Sequence, residues 1–466
     1  MESLIGGTTG LVEGLMRAHG QVPDHVAHAA RLHLLDALGV AMAASASGPV
    51  RGVVSLADGC AGPSTVLGTG QMTSPAVAAL INGSLMHSLE YDDTHTASVV
   101  HGSSVLASAA LAVTEERGAT GRDLIDAFAV GWELLVRIGL ASPGGLQAHG
   151  FQVTAAGGAF AAAAVSGLLH GDDSGTLADA VGIAGSQAGG TFAFLADGDT
   201  VKAVQAGWAA HSGVMAAQLA RAGVTGPQQV FDGPYGFYRL YALDAEAGQR
   251  LLDSCNDLGE VWHLPDAAFK LVPCCHYLHP FVEALQGVLG SGVSCDDVVS
   301  VHCEVPEEEV SIIAEPWPDR QYPSRAHDAR WSLPYVLGLV LRHGRVDTAA
   351  FVGDVDDDVV KAACTVTYEP WKASGFPVRF PARLRVLLRD GSEREAEVSD
   401  VLGGSGRPVG DEVVFDKARE NLCAGGLSQA AADELVAAIC DPDIELARIV
   451  TALRPQALTE QKVGPR

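Results

Sequence analysis

Residues 74–117 read SPAVAALINGSLMHSLEYDDTHTASVVHGSSVLASAALAVTEER. The two ends of this stretch, Ser74–Ser88 and Ser103–Arg117, are rich in Ala, Leu and Val at helical spacing. Between them, His87 to His101 carries Glu90, Asp92 and Asp93 with His87, His95 and His101. Flanks of this kind belong in a core, and burying charge is costly unless the groups are paired. The pattern therefore predicts two packed helices holding a cluster of titratable groups, which is a signature of an active site rather than of a solvated turn.

Helical texture continues outward. His25–Ala44 follows the start signal Pro23-Asp24, and Thr120-Gly121-Arg122-Asp123 opens a helix that runs to about Ala141. Thr154–Leu169 and Ala203–Ala222 are dominated by Ala and Gly, whose small side chains let helices approach closely. From about residue 271 the pattern changes. Val298–Val305 alternates as a half-buried strand does, Cys364–Tyr368 reads as another strand, and Arg383–Leu388 with Glu393–Val398 reads as a hairpin around Asp390-Gly391. Ser332–Arg342 reads as a helix between strands. Gly403–Gly406 reads as a linker, and Asp411–Cys423 and Gln429–Ile439 are helical again.

The expected fold class is mainly α, a large all-helical domain with a smaller α+β lid. Residues 1–270 would form the first part of the helical domain and residues 271–404 the lid. Residues 405–466 would return as C-terminal helices to the helical domain. Helices made mostly of Ala and Gly bury little area each, which is why the C-terminal helices are expected to complete that core.

Composition narrows the partners. The 466 residues carry a net charge of −26, with 48% hydrophobic and 18% charged residues. That suits a well-packed enzyme and leaves no basic surface for nucleic acid or an anionic membrane. Ala155–Leu169 is too short and too small-residued for a membrane span of roughly 20 residues. The start of the chain lacks the basic and apolar segments of a signal peptide. Nine scattered cysteines with no C-x-x-C pair suggest reduced thiols and a cytoplasmic protein.

Lysine is scarce. Six occur, at 202, 270, 361, 372, 417 and 462, against 24 arginines, and only Lys202 and Lys270 fall in the first 360 residues. A chain that avoids Lys yet keeps two in mid-sequence points to a need for a compact ammonium there. Glu90, Asp93, His95 and His101 are plausible metal ligands by type, but no H-E-x-x-H or similar zinc spacing is present. There is no G-x-S-x-G elbow and no dinucleotide fingerprint.

Asn82-Gly83-Ser84-Leu85-Met86-His87-Ser88-Leu89-Glu90-Tyr91-Asp92-Asp93-Thr94 with His101-Gly102-Ser103 resembles the signature of the MmgE/PrpD family. The similarity continues through His149–Thr154, Lys202, Gly207–Gly213, Lys270–Pro280 and Ala329–Tyr335, in order along nearly the whole chain. The family includes 2-methylcitrate dehydratase, cis-aconitate decarboxylase and iminodisuccinate epimerase. The resemblance implies a homodimer that works without metal or organic cofactor on a small di- or tricarboxylate. It places His101, Lys202, Lys270, Asp93 and Thr94 in catalysis, and Glu90, Gln152 and Cys275 at the substrate. His101 would move the proton, the two lysines would hold carboxylates, and Thr94 and Asp93 would orient the hydroxyl and the base.

The departures are specific. Many relatives show His-Pro where this chain has Gln152-Val153, decarboxylase-like members carry His at the Cys275 position, and Ala203 and Gln205 replace an Arg and a His. The expected activity is that of a cofactor-independent lyase, a dehydratase of a citrate-like hydroxy-polycarboxylate. Decarboxylation of a cis-aconitate-like acid, epimerisation or isomerisation of a small dicarboxylate, and non-catalytic carboxylate binding are the alternatives.

Overall fold

The computed structural model describes residues 7–453 apart from Gly198, Pro377 and Ile444. Lys462 and the last part of the expected C-terminal segment, 454–466, lie outside the described residues.

The labelled helices of the first part are α1 (Thr8–Ala18), α2 (Asp24–Ser47), α3 (Pro75–His87), α4 (Gly102–Arg117), α5 (Gly121–Ala141), α6 (Val153–His170), α7 (Ser174–Ala184) and α8 (Val201–Arg221). Their starts follow local chemistry. Pro75 occupies the first turn of α3, where its missing N–H is not needed. Thr120 and Asp123 form a capping box at α5. Close approach of α3 and α8 depends on glycine. A Cβ at Gly83 would lie 2.8 Å from the Gly207 Cα, and one at Gly207 would lie 2.1 Å from the Leu80 carbonyl. This crossing sets the helix that carries Lys202 in its first turn against the helix that ends at His87. Helix α6 has the length and hydropathy of a membrane span, yet it is almost entirely buried in the helical layer.

A short hairpin joins β1 (Ser64–Thr65) to β2 (Met72–Thr73). The second part is built on four strands, β3 (Val298–Pro306), β4 (Val366–Trp371), β5 (Ala382–Leu388) and β6 (Glu393–Val398). Their order is β4-β3-β5-β6, with β3 parallel to β4 and the other pairs antiparallel. Helices α9 (His279–Gly290) and α10 (Leu333–His343) cover the sheet, and their apolar faces share one core with Val301, Cys303, Leu384 and Val386. The fourth strand expected at Cys364 begins at Val366. Helix α11 (Asp357–Ala363) extends to Cys364, which caps it.

Three helices follow, α12 (Asp411–Ala424), α13 (Gln429–Cys440) and α14 (Leu446–Ala452). Ala418, Leu422, Leu435, Ile439 and Ile449 share the core of α2, α4 and α5 rather than that of the sheet. Gly403–Gly406, read from the sequence as a linker, is instead a tight turn packed on the site-bearing segment. The Gly403 N–H donates to the Arg407 carbonyl at 2.8 Å, and the Gly403 carbonyl accepts from the Phe269 N–H at 3.2 Å. The Gly403 backbone has φ of 102°, and an added Cβ would lie 2.6 Å from the Phe269 carbonyl. The architecture is thus mainly helical with a small mixed sheet, as the sequence pattern predicts.

Candidate active site

The polar stretch after α3 folds into a compact loop whose ends meet. His95 and Val100 form an antiparallel bridge, and Thr94 pairs with Ala268, two residues before Lys270. Glu90 and Val99, neither of them glycine, hold left-handed backbones with φ of 52° and 54°. Each such residue stores roughly 1–3 kcal/mol of strain, which clusters at functional sites.

Glu90 is the centre of the charge arrangement. Its carboxylate accepts a hydrogen bond from the Lys202 ammonium on one oxygen, and Lys270 Nζ stands 3.4 Å from the other. All three side chains are buried. Burial opposes ionisation of Glu90, but the two ammonium groups outweigh it and hold the carboxyl well below its usual range. Lys270 responds in the opposite sense. Burial opposes its charge, and Glu90 and Asp92 overcome that and raise its pKa. Lys202 also lies over the Trp331 ring, 5.3 Å from its centroid.

His101 caps the start of α4, its backbone N–H donating to Thr154 Oγ1 at 2.9 Å. Nδ1 lies 2.8 Å from the Asp93 carbonyl and 3.1 Å from Thr94 Oγ1. A carbonyl only accepts, so Nδ1 carries the proton and Nε2 has a free lone pair. Burial pushes the imidazole pKa down to about 3, opposed by Asp92, so the ring is neutral near pH 7.

Behind His101, His87 Nδ1 donates to Asp92 at 2.7 Å, and Ser104 Oγ donates to the same carboxylate. His87 Nε2 accepts from Gln152 Nε2 at 3.3 Å, which leaves Gln152 Oε1 buried without a hydrogen-bond partner among the described residues. Cys275 is buried, and the Lys270 and Lys202 charges act on it. Burial raises its thiol to about 11, so it stays protonated.

The structure therefore brings Glu90, Thr94, His101, Lys202, Lys270, Gln152 and Cys275 into one region. Asp93 is a correction. Its carboxylate is engaged by His33 Nδ1 at 2.7 Å and by Ser103 Oγ, so only its backbone carbonyl orients the base. The carboxylate that faces His101 is that of Asp92, 3.9 Å away.

Sequence reasoning did not select His87 and Asp92, although both lie in the quoted cluster. It also passed over Arg330, fully buried, whose guanidinium donates to the Ser88 carbonyl at 2.9 Å. Lys417, from α12, pairs with Asp36 at 2.7 Å and donates to the Tyr91 carbonyl at 2.8 Å, bracing the loop from below. Its rarity among lysines was the available signal.

The four metal-ligand types foreseen do not converge, because Glu90 is held by lysines and Asp93 by His33 and Ser103. The compact set at the site is His87, Asp92 and His101, with ligand atoms within 4.8 Å of one another. Two of these three already bond each other.

A buried ammonium pair on one carboxylate, beside a neutral imidazole with a free Nε2, is equipped to bind anionic carbon acids and move a proton. Comparison with known proteins agrees with this class. The MmgE/PrpD N-terminal domain matches residues 17–250 and the MmgE/PrpD C-terminal domain matches residues 272–441. The chain belongs to the MmgE/PrpD family of enzymes. It is 28% identical to cis-aconitate decarboxylase of Aspergillus terreus over 381 residues, 77% of this chain and 76% of the fungal one. It is 27% identical to the human cis-aconitate decarboxylase over 360 residues, 74% and 72% of the two chains. It is 26% identical to the mouse enzyme of that name over 441 residues, 90% and 87%.

Proposed function

We propose that this protein is a cofactor-independent lyase of a small citrate-like polycarboxylate, and that the reaction is dehydration. The observation that carries the reading is the Glu90 carboxylate shared by two buried lysines beside the free Nε2 of His101. Glu90 pairs with both lysines, and substrate carboxylates take over part of that pairing. Carboxylates held on Lys202 and Lys270 make the adjacent C–H bond more acidic, because charge that develops on the carboxylate in the transition state meets fixed ammonium groups. His101 Nε2 takes the α-proton. The electron pair of the broken C–H bond forms the double bond as the β C–O bond breaks. The oxygen leaves as water with a proton from Lys202, the less buried ammonium, and His101 returns a proton to that lysine through solvent. Gln152 Oε1 accepts from the substrate hydroxyl, and Thr94 holds the ring of His101.

Decarboxylation is the second reading, favoured by the names of the similar fungal and mammalian proteins. It asks for a proton donor to the carbon that CO2 leaves. With its pKa pushed down to about 3, His101 is unprotonated near pH 7, so the resting ring carries no imidazolium to supply that proton. Citrate, 2-methylcitrate and cis-aconitate incubated separately with the protein, followed by proton NMR and CO2 capture, discriminate between them. Alkene from the hydroxy acids without CO2 supports dehydration, and CO2 from cis-aconitate supports the second reading. Calorimetric binding with no turnover of any of the three would leave a carboxylate-binding protein. We further propose a homodimer, testable by light scattering of the purified chain.

A further inference from the structure

A second set of ligand-type side chains converges outside the lysine site. His95, His263 and Asp266 each offer one ligand atom, all within 4.8 Å of one another. The two rings meet edge-on, with centroids 6.1 Å apart. No hydrogen bond joins the three side chains. His95 is buried, His263 half-buried and Asp266 exposed, so the cluster opens to solvent on the carboxylate side.

Each histidine is anchored from outside the cluster. Nδ1 of His95 is 2.8 Å from Ser98 Oγ and accepts the Ser98 backbone N–H at 3.3 Å, so Nε2 offers its lone pair to a metal once the ring proton moves to Nδ1, facing Ser98 Oγ. The backbone N–H of His263 donates to the buried Glu133 carboxylate at 2.7 Å. A ring partner such as Ser98 fixes imidazole orientation at metal sites, whereas the Glu133 bond holds the His263 backbone.

We propose that His95, His263 and Asp266 form a transition-metal site, suited to Zn2+ with a water as fourth ligand. Two imidazoles and one carboxylate are a donor set that Zn2+ accepts. Tetrahedral ligands on bonds of about 2.1 Å lie roughly 3.4 Å apart, so ligand atoms as much as 4.8 Å apart close by up to about 1.4 Å. The exposed Asp266 side chain is free to make that movement.

The ion would act on geometry, not on chemistry. His95 follows Thr94 in the loop that ends at His101, and Asp266 precedes Lys270 by four residues. The backbone already ties these segments at Thr94 and Ala268, with N–H···O distances of 2.9 and 2.8 Å. A metal across His95, His263 and Asp266 adds a second tie and fixes the base-bearing loop against the lysine-bearing segment. The proposal does not depend on which lyase reaction takes place.

The test uses the untagged full chain, stripped with chelator, dialysed and titrated with Zn2+ and in parallel with Co2+. The expected result is one equivalent bound at micromolar concentration, visible Co2+ absorption of four-coordinate type, and a raised melting temperature. His263→Ala and the exposed Asp266→Asn should each weaken binding at least about tenfold. His101→Ala should bind as the parent does. Absence of saturable binding would overturn the proposal. So would binding lost in His101→Ala but kept in His263→Ala and Asp266→Asn, because the ion would then sit on His87, Asp92 and His101.

Discussion

Nδ1 of His101 stands 2.8 Å from the backbone carbonyl of Asp93, and that contact decides which nitrogen of the ring can act as a base. With its pKa pushed down to about 3 by burial, the imidazole is unprotonated throughout the neutral range. After correction for substrate ionisation, kcat/KM should therefore stay within about twofold between roughly pH 5.5 and 8. An acid limb near the ordinary histidine value of about 6.5 would contradict this assignment.

Removing either ammonium should weaken transition-state binding. Lys202→Met and Lys270→Met are each expected to lower kcat/KM by about 100- to 1,000-fold, the range seen when a preorganised charge-stabilising group is lost. Glu90→Gln leaves two buried ammonium groups without their shared counter-ion. It should destabilise the fold by about 3–5 kcal/mol. Tricarballylate, supplying the missing charge, should raise the melting temperature of Glu90→Gln more than that of the parent protein. An equal shift in both would show that the lysines do not receive ligand carboxylates.

Much of the site was legible because its residues cluster in one sequence window and because lysine is scarce elsewhere. Apolar spacing on either side of His87–His101 located α3 and α4 to within a residue or so. The role of Asp93 was not legible. Adjacent aspartates on a loop point in different directions, and which one faces His101 depends on the Glu90 backbone and on Ser103 and Ser104 across the site. Arg330 and Lys417 reach the loop from more than 200 residues away in sequence, and no local pattern records such contacts. Gly403–Gly406 misled because glycine serves flexible linkers and tight packed turns alike.

Stability should fall on acidification. Burial pushes His101 and His279 down to about 3 and His95 and His327 down to about 4. In the unfolded chain these groups bind protons below about pH 6.5, whereas in the fold they stay neutral. The unfolded state therefore gains protons first, and stability declines as pH drops from about 6.5 to about 4. Glu133 acts in the opposite sense. Burial raises it to about 7, so its contribution is full below about pH 4.5 and is lost as pH rises through 7. Urea melts at a series of pH values should show the histidine-driven decline. A melting midpoint that is flat or rises on acidification over that interval would count against burial of neutral imidazoles.

Chelation should leave the chemistry in place. The groups assigned to the reaction are two lysines and an imidazole, and His87 and Asp92 are committed to each other at 2.7 Å. Turnover after exhaustive EDTA treatment and dialysis, assayed at a temperature well below the melting point, should match the untreated enzyme within about twofold. A loss restored only by added metal would require a metal-dependent step in the reaction.

The central claim is proton abstraction from a lysine-held polycarboxylate by His101. Its most direct measurement is proton NMR of the hydroxy-tricarboxylate substrate in D2O, with the parent protein and with His101→Ala. The parent should convert the acid to its alkene, and it should place deuterium at the α-carbon when the reaction is run in reverse. His101→Ala should lower kcat by about 100- to 10,000-fold, with KM little changed. Undiminished alkene formation and deuterium incorporation in His101→Ala would contradict the account.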